Sequence, residues 1–189
     1  MSDEQPPTQD PRPDQLRVAK SLVLVNTGDG KGKSTAAFGV ILRAVAQGWK
    51  VAVVQFLKSG EWQVGEEKTA TGLGVEWYAI GEGFTWDSSN LTEDEARARA
   101  AWQRASELIN DGEHRLVVLD EITYPMNWGW IDTDEVVETI RRRPERVNVI
   151  ATGRDAPAAL VELADTVTEM RSVKHAYDRG IAAKKGIDY

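Results

Sequence analysis

The run VNTGDGKGKST, Val25 to Thr35, places three glycines and two lysines within eleven residues, directly after an apolar segment. Such a run is a poor core and a good anion cradle. Glycines let the backbone turn so that successive N–H groups point inward, and a helix starting just beyond adds unpaired donors and the positive end of its dipole. At this spacing the Lys33 ammonium reaches phosphate oxygens and the Ser34 hydroxyl becomes a ligand for Mg2+. The common phosphate loop reads glycine, about four residues, then Gly-Lys-Ser/Thr. Gly32, Lys33 and Ser34 match it, whereas the leading position holds Thr27, with Gly28 one place later, so the loop is a variant.

A second chemical signal is LVVLDE, Leu116 to Glu121, an apolar run ending in two carboxylates. An acid at the carboxyl end of a buried strand is where many nucleotide enzymes hold a metal. Consecutive strand residues face opposite ways, so one of Asp120 and Glu121 meets the cation and the other fixes its neighbours or a water. The two histidines, His114 and His175, lie far apart with no cysteine in the chain, which argues against a histidine-based metal site. His114 reads as a surface residue before a strand, and His175, in VKHAYDRG, as a packed or capping residue or part of a dimer or substrate-access segment.

The elements that must position these groups follow from apolar rhythm. Strands are expected at Leu22–Asn26, Val51–Phe56, Val75–Ile80, Leu116–Glu121, Val147–Thr152 and Thr166–Met170, and helices over Lys33–Ala46, from Leu91 through the following twenty-odd residues, near Asp134–Arg142 and from about Pro157. Strand and helix alternate, and the β-branched runs are continuous rather than alternating, as in strands buried on both faces of a parallel sheet. Residues 1–15, with four prolines, many charges and no hydrophobic period, read as a flexible arm, leaving 16–189 as one α/β domain.

Composition narrows the function. A net charge of -7, from 23 basic and 30 acidic residues, argues against broad nucleic-acid binding. No apolar run is long enough to span a bilayer and none resembles a leader, so a soluble, cytoplasmic protein is the expectation.

Taken together, TGDGKGKSTAAFG, VVQFLKSGEWQVGEE, GEGFTW, VVLDEITYPMNWGW, ATGRDAP and VKHAYDRGIAAKKGIDY resemble an ATP:corrinoid adenosyltransferase of the P-loop type, over about Leu22 to Tyr189. The resemblance implies an α/β fold of the P-loop NTPase (RecA-like) kind, a mostly parallel sheet with helices on both faces. It implies ATP held in the loop in a reversed sense, with its ribose C5′ turned toward a reduced corrinoid. The Co(I) centre attacks C5′, a cobalt–carbon bond forms, and inorganic triphosphate leaves. No general base is needed because the nucleophile carries no proton; alignment and neutralisation of the leaving group are what the protein must supply. Gly28, Asp29, Gly30, Lys31, Gly32, Lys33, Ser34 and Thr35 are thereby assigned to ATP, Arg43 and Arg154 to its neighbourhood, and Ser34 with Glu121 to Mg2+. The implied substrates are cobyrinic acid a,c-diamide, cobinamide or cobalamin, the implied reductant flavodoxin-like or flavin-based, and the implied assembly a homodimer.

Seven tryptophans invite overreading. Trp49 and Trp102 are assigned to packing. Phe84 and Trp86 stand in a glycine-bracketed loop, where binding residues concentrate. By resemblance they press on the lower corrin face, displace the axial ligand and leave cobalt four-coordinate, which raises its reduction potential; Lys33, Phe84 and Trp86 are the residues expected to carry the reaction. Trp62, Trp128 and Trp130 either line the same pocket or cover the sheet edge. Two other classes share the phosphate loop: a generic ATPase or kinase, distinguished by releasing ADP rather than triphosphate, and a nucleotide-dependent corrinoid carrier, distinguished by lacking turnover.

Overall fold

A computed structural model describes residues 15–57, 65–79 and 91–188. The expected arm, residues 1–15, lies almost wholly outside that set, as do Trp62, Phe84 and Trp86. Six strands form one sheet: β1 (Val23–Thr27), β2 (Val51–Gln55), β3 (Glu76–Ala79), β4 (Leu116–Asp120), β5 (Asn148–Thr152) and β6 (Thr166–Glu169). Their spatial order is β3-β2-β4-β5-β1-β6, and every pairing is parallel. The helices are α1 (Lys33–Ala46), α2 (Gly65–Gly72), α3 (Leu91–Asn110), α4 (Thr123–Asn127), α5 (Thr133–Arg141) and α6 (Ala158–Leu163). This is the expected α/β class.

Strand parity decides which helix each strand residue meets. In β4, Leu116 and Val118 pack with Ala37, Ile41 and Ala44 of α1 and Ala70 of α2, while Val117 and Leu119 pack with α3, α5 and α6 through Leu108, Ile140 and Leu160. Both faces are therefore dry, which is why the strands carry apolar residues without alternation. Burying a side chain such as Ile41 or Leu119 stabilises the fold by about 1.5–3 kcal/mol. The same parity carries Asp120 to the α1 face, below the start of that helix.

Trp102 is buried and its indole N–H donates to the Glu135 carboxylate at 2.6 Å, and Trp49 stacks under Arg115, so both serve packing as expected. His114 departs from its reading. It is 1% exposed, with Nε2 3.2 Å from Glu76, because the residue preceding β4 is roofed by the start of β3 and the end of α3.

Candidate functional site

The phosphate loop runs from β1 into α1 at the carboxyl edge of the sheet, the edge where open α/β sheets bind ligands. It is clamped from the strand beside it. The Gly30 N–H donates to the Met170 carbonyl at 2.6 Å, and the Met170 N–H donates to the Thr27 carbonyl at 2.8 Å. Gly28 has φ +93°, and a Cβ there would fall 2.5 Å from the Met170 oxygen, so only glycine fits. Thr27, which stands where the common pattern has glycine, is used: its hydroxyl accepts the Ala156 N–H at 3.1 Å, tying the loop to the segment that carries Arg154.

Lys33 opens α1 half-buried, its Nζ donating to the Gly30 carbonyl at 2.7 Å. Burial, and then the Arg154 charge, lower its pKa, while Glu121 and Asp29 act the other way. The ammonium is thus folded onto its own loop, where a phosphate oxygen would offer a stronger partner than the carbonyl. Ser34 follows on the same turn, and Thr35, the last residue assigned to ATP, is exposed at the helix start.

The two carboxylates divide as strand parity demands. Asp120 is 1% exposed and takes hydrogen bonds from the Gln55 amide at 3.2 Å, the Thr152 hydroxyl at 2.7 Å and the Ser34 hydroxyl. Burial pushes its pKa up and those three donors pull it back. Glu121 leaves the strand at φ +65°, a left-handed conformation that non-glycine residues rarely adopt, and its N–H donates to Thr152 Oγ1 at 2.9 Å. Burial, reinforced by the Asp120 charge, raises its pKa to about 8, against the pull of Lys33 and Arg154. Asp120 therefore lies next to Ser34, and Glu121 faces the cations.

That shift has a sign. In the folded protein Glu121 keeps its proton up to about pH 8, while in the unfolded chain it sheds it near 4.5, the ordinary value of a glutamate. Its contribution to stability is complete below pH 4.5 and is lost as the pH rises through 8. Urea unfolding of the metal-free protein is expected to show Glu121→Gln gaining on the wild type by a few kcal/mol between pH 6 and 8.5. A stability difference that stays flat across those pH values contradicts the burial described here.

Arg154 sits just past β5, the strand between β1 and β4, so its segment lies between the loop and the carboxylates. Its carbonyl accepts the buried Thr123 hydroxyl at 2.6 Å and its guanidinium is exposed beside Lys33. A cavity of about 310 Å³ opens there, lined by Asp29, Gly30, Lys31, Lys33 and Arg154 on one side and by Ser172, His175, Tyr177 and Asp178 on the other. The second wall was missed in the sequence apart from the VKHAYDRG signature. His175 lines the pocket, with its Nδ1 accepting the Tyr177 N–H at 3.2 Å.

Arg43 is exposed in the last turn of α1, ten residues beyond Lys33, and at 1.5 Å per residue that is about 15 Å along the helix. Trp130 packs on the core and meets the partly exposed Trp128 at 4.7 Å, rings tilted, and Trp128 in turn meets Tyr124 at 5.7 Å, an aromatic row beyond β4. Among the described residues no helix is long and apolar enough to cross a membrane, and no group of three or more His, Cys, Asp or Glu side chains forms a ready metal cage.

Comparison with known proteins converges on one family. The family model described as ATP:corrinoid adenosyltransferase BtuR/CobO/CobP matches residues 19–189. The corrinoid adenosyltransferase of Escherichia coli K12 is 45% identical over 180 residues, 95% of this chain and 91% of that protein. Corrinoid adenosyltransferase CobA of Salmonella typhimurium is 43% identical over the same length, again 95% of this chain and 91% of that one. A corrinoid adenosyltransferase of Pseudomonas aeruginosa is 44% identical over 177 residues, 93% of this chain and 87% of that one. With a phosphate loop, paired carboxylates and an arginine brought to one edge of a parallel sheet, this chain belongs to the ATP:corrinoid adenosyltransferase family, which adenosylates corrinoids in cobalamin biosynthesis.

Proposed function

We propose that this protein transfers the 5′-deoxyadenosyl group of ATP to the Co(I) centre of cobyrinic acid a,c-diamide, cobinamide or cobalamin and releases inorganic triphosphate. The observation that carries the residue assignments is the convergence of Lys33, Arg154 and the loop N–H groups on one cavity. A leaving group that gathers negative charge needs fixed positive charge and oriented donors, and these are in place before it forms. Lys33 gives up a carbonyl of its own loop for a phosphate oxygen. Lys31 and Arg154 add charge at the rim.

The donor chemistry fits a hard divalent cation. Ser34 and Glu121 would supply oxygens to Mg2+, which would neutralise phosphate charge, and triphosphate oxygens would complete the set. Asp120, its oxygens engaged by Gln55, Thr152 and Ser34, orients the Ser34 hydroxyl. Phe84 and Trp86 complete the reading as the pair that presses on the corrin and strips its lower ligand, with a flavodoxin-like or flavin-based donor reducing the cobalt. The functional unit in this reading is a homodimer, and the working compartment the cytoplasm.

One experiment tests both levels. Protein, Mg-ATP and chemically reduced corrinoid are mixed, and the visible spectrum of the cobalt–carbon bond is followed together with the phosphate products. Triphosphate in equal amount to adenosylated corrinoid is expected; ADP or orthophosphate without a new cobalt–carbon bond rejects the reading. Trp86→Ala and Phe84→Ala should lose most activity, about a hundredfold, when corrinoid enters as Co(II), and recover much of it with preformed Co(I). Equal losses with both oxidation states reduce the pair to packing.

A further inference from the structure

The GIDY ending finds a place that the reaction as written does not use. Residues 184–188 form a turn in which the Ile187 and Asp188 N–H groups both donate to the Lys184 carbonyl, while Asp188 Oδ2 accepts the Lys184 N–H at 2.7 Å. The other oxygen, Oδ1, lies 2.6 Å from the Lys31 ammonium. Lys31 is a phosphate-loop residue and lines the cavity, so the tail carboxylate grips a cation that borders the triphosphate site. Lys31, Lys184 and His175 hold the Asp188 carboxyl below its ordinary range, and it is ionised at neutral pH.

We propose that Asp188 competes with the triphosphate for Lys31, taking the ammonium back as product leaves. The proposal rests on the phosphate-loop reading above and adds a positioning residue to it. A site with Lys31, Lys33 and Arg154 around a highly charged leaving group holds that product strongly, and release limits turnover in many enzymes. A carboxylate already fixed by its own turn loses little side-chain freedom when it reclaims the lysine. It weakens the grip on bound anion at equilibrium while leaving Lys33, the innermost cation, untouched.

The test is calorimetry with Mg2+ and inorganic triphosphate, without corrinoid, at fixed ionic strength. Asp188→Asn is expected to bind triphosphate about threefold tighter, the scale of a half-exposed ion pair, and Asp188→Glu to match the wild type. In a Lys31→Ala background the Asp188→Asn change should be silent, because the competition has no object. Unchanged or weaker binding by Asp188→Asn overturns the proposal. Equal tightening with and without Lys31 overturns it too, since Asp188 would then act only as bulk negative charge. Lys33→Ala separates the two readings: if it leaves triphosphate affinity intact, the phosphate loop itself is misassigned; if it weakens binding while Asp188→Asn does nothing, only the tail's role fails.

Discussion

Lys33→Ala is expected to raise the dissociation constant for Mg-ATP by at least about a hundredfold, because it removes a half-buried charge from the middle of a phosphate cradle. Truncating one member of a desolvated charge pair costs several times what a surface pair contributes. The fold should survive. Among the described residues the Lys33 side chain bonds only to the Gly30 carbonyl, a group beside the open cavity that water can satisfy, and α1 keeps its apolar face through Ala37, Ile41 and Ala44. Equilibrium binding to Mg-ATP, with melting temperature as control, reads both parts. Lys33→Arg should recover only a fraction, since the wider guanidinium has to enter a turn sized for an ammonium. Near-normal ATP affinity in Lys33→Ala would remove the phosphate-loop assignment.

Gly153→Ala is expected to be strongly destabilising. The backbone there has φ +140°, and an added Cβ would stand 2.0 Å from Thr123 Oγ1, the hydroxyl that holds the Arg154 carbonyl. Thr123 is fully buried on α4 and has nowhere to go. Overpacking and backbone strain together cost about 3 kcal/mol, a fall in melting temperature of roughly 6–12 °C for a chain of this size. Removing the clashing hydroxyl with Thr123→Ala in the same protein should recover part of the loss. ATP affinity should fall as well, because the residue displaced next is Arg154. Thermal melts of the three variants decide the matter; an unaltered melting temperature in the single variant would mean that α4 does not sit against β5 as described.

The large apolar rhythms were legible in the residues. Helix α1 has the bounds read from the sequence, and the six strands fall within a residue or two of their expected places, because most are short β-branched runs with turn residues at their ends and β3, EWYA, is aromatic. Helix α2 escaped notice since GEEKTATG is bounded by glycine and buries Ala70 alone, leaving no stripe to detect. Helix α4 is five residues long with Pro125 inside it, and tertiary packing rather than periodicity makes it helical. At the site, the loop and the acid pair announced themselves as motifs, while their division of labour did not. That Asp120 lies beside Ser34 follows from its parity with Leu116 and Val118, which is readable only once α1 is known to cover that face. The Ser172–Asp178 wall and the Lys31–Asp188 pair join residues more than a hundred positions apart, and no local pattern encodes such meetings. Arg43 is assigned by likeness alone, and no local pattern at the far end of α1, about 15 Å along the helix from Lys33, points to a nucleotide.

The pairing of β1 has a consequence for how the chain is made. Its two hydrogen-bonded neighbours are β5 and β6, with Val23 opposite Val149 and Leu24 opposite Thr166. The strand that launches the phosphate loop leaves the ribosome early, but both of its partners, and the Met170 clamp on the loop, emerge more than a hundred residues later. At about 5–20 residues per second, β1 waits several seconds or longer before it can take its place. Contacts so distant along the chain are slow to close, and an apolar strand kept waiting is open to wrong pairings. Nascent chains halted before β5 would carry every letter of the loop and yet bind no nucleotide, so ATP can act as a ligand of the finished protein and not as a template for its folding.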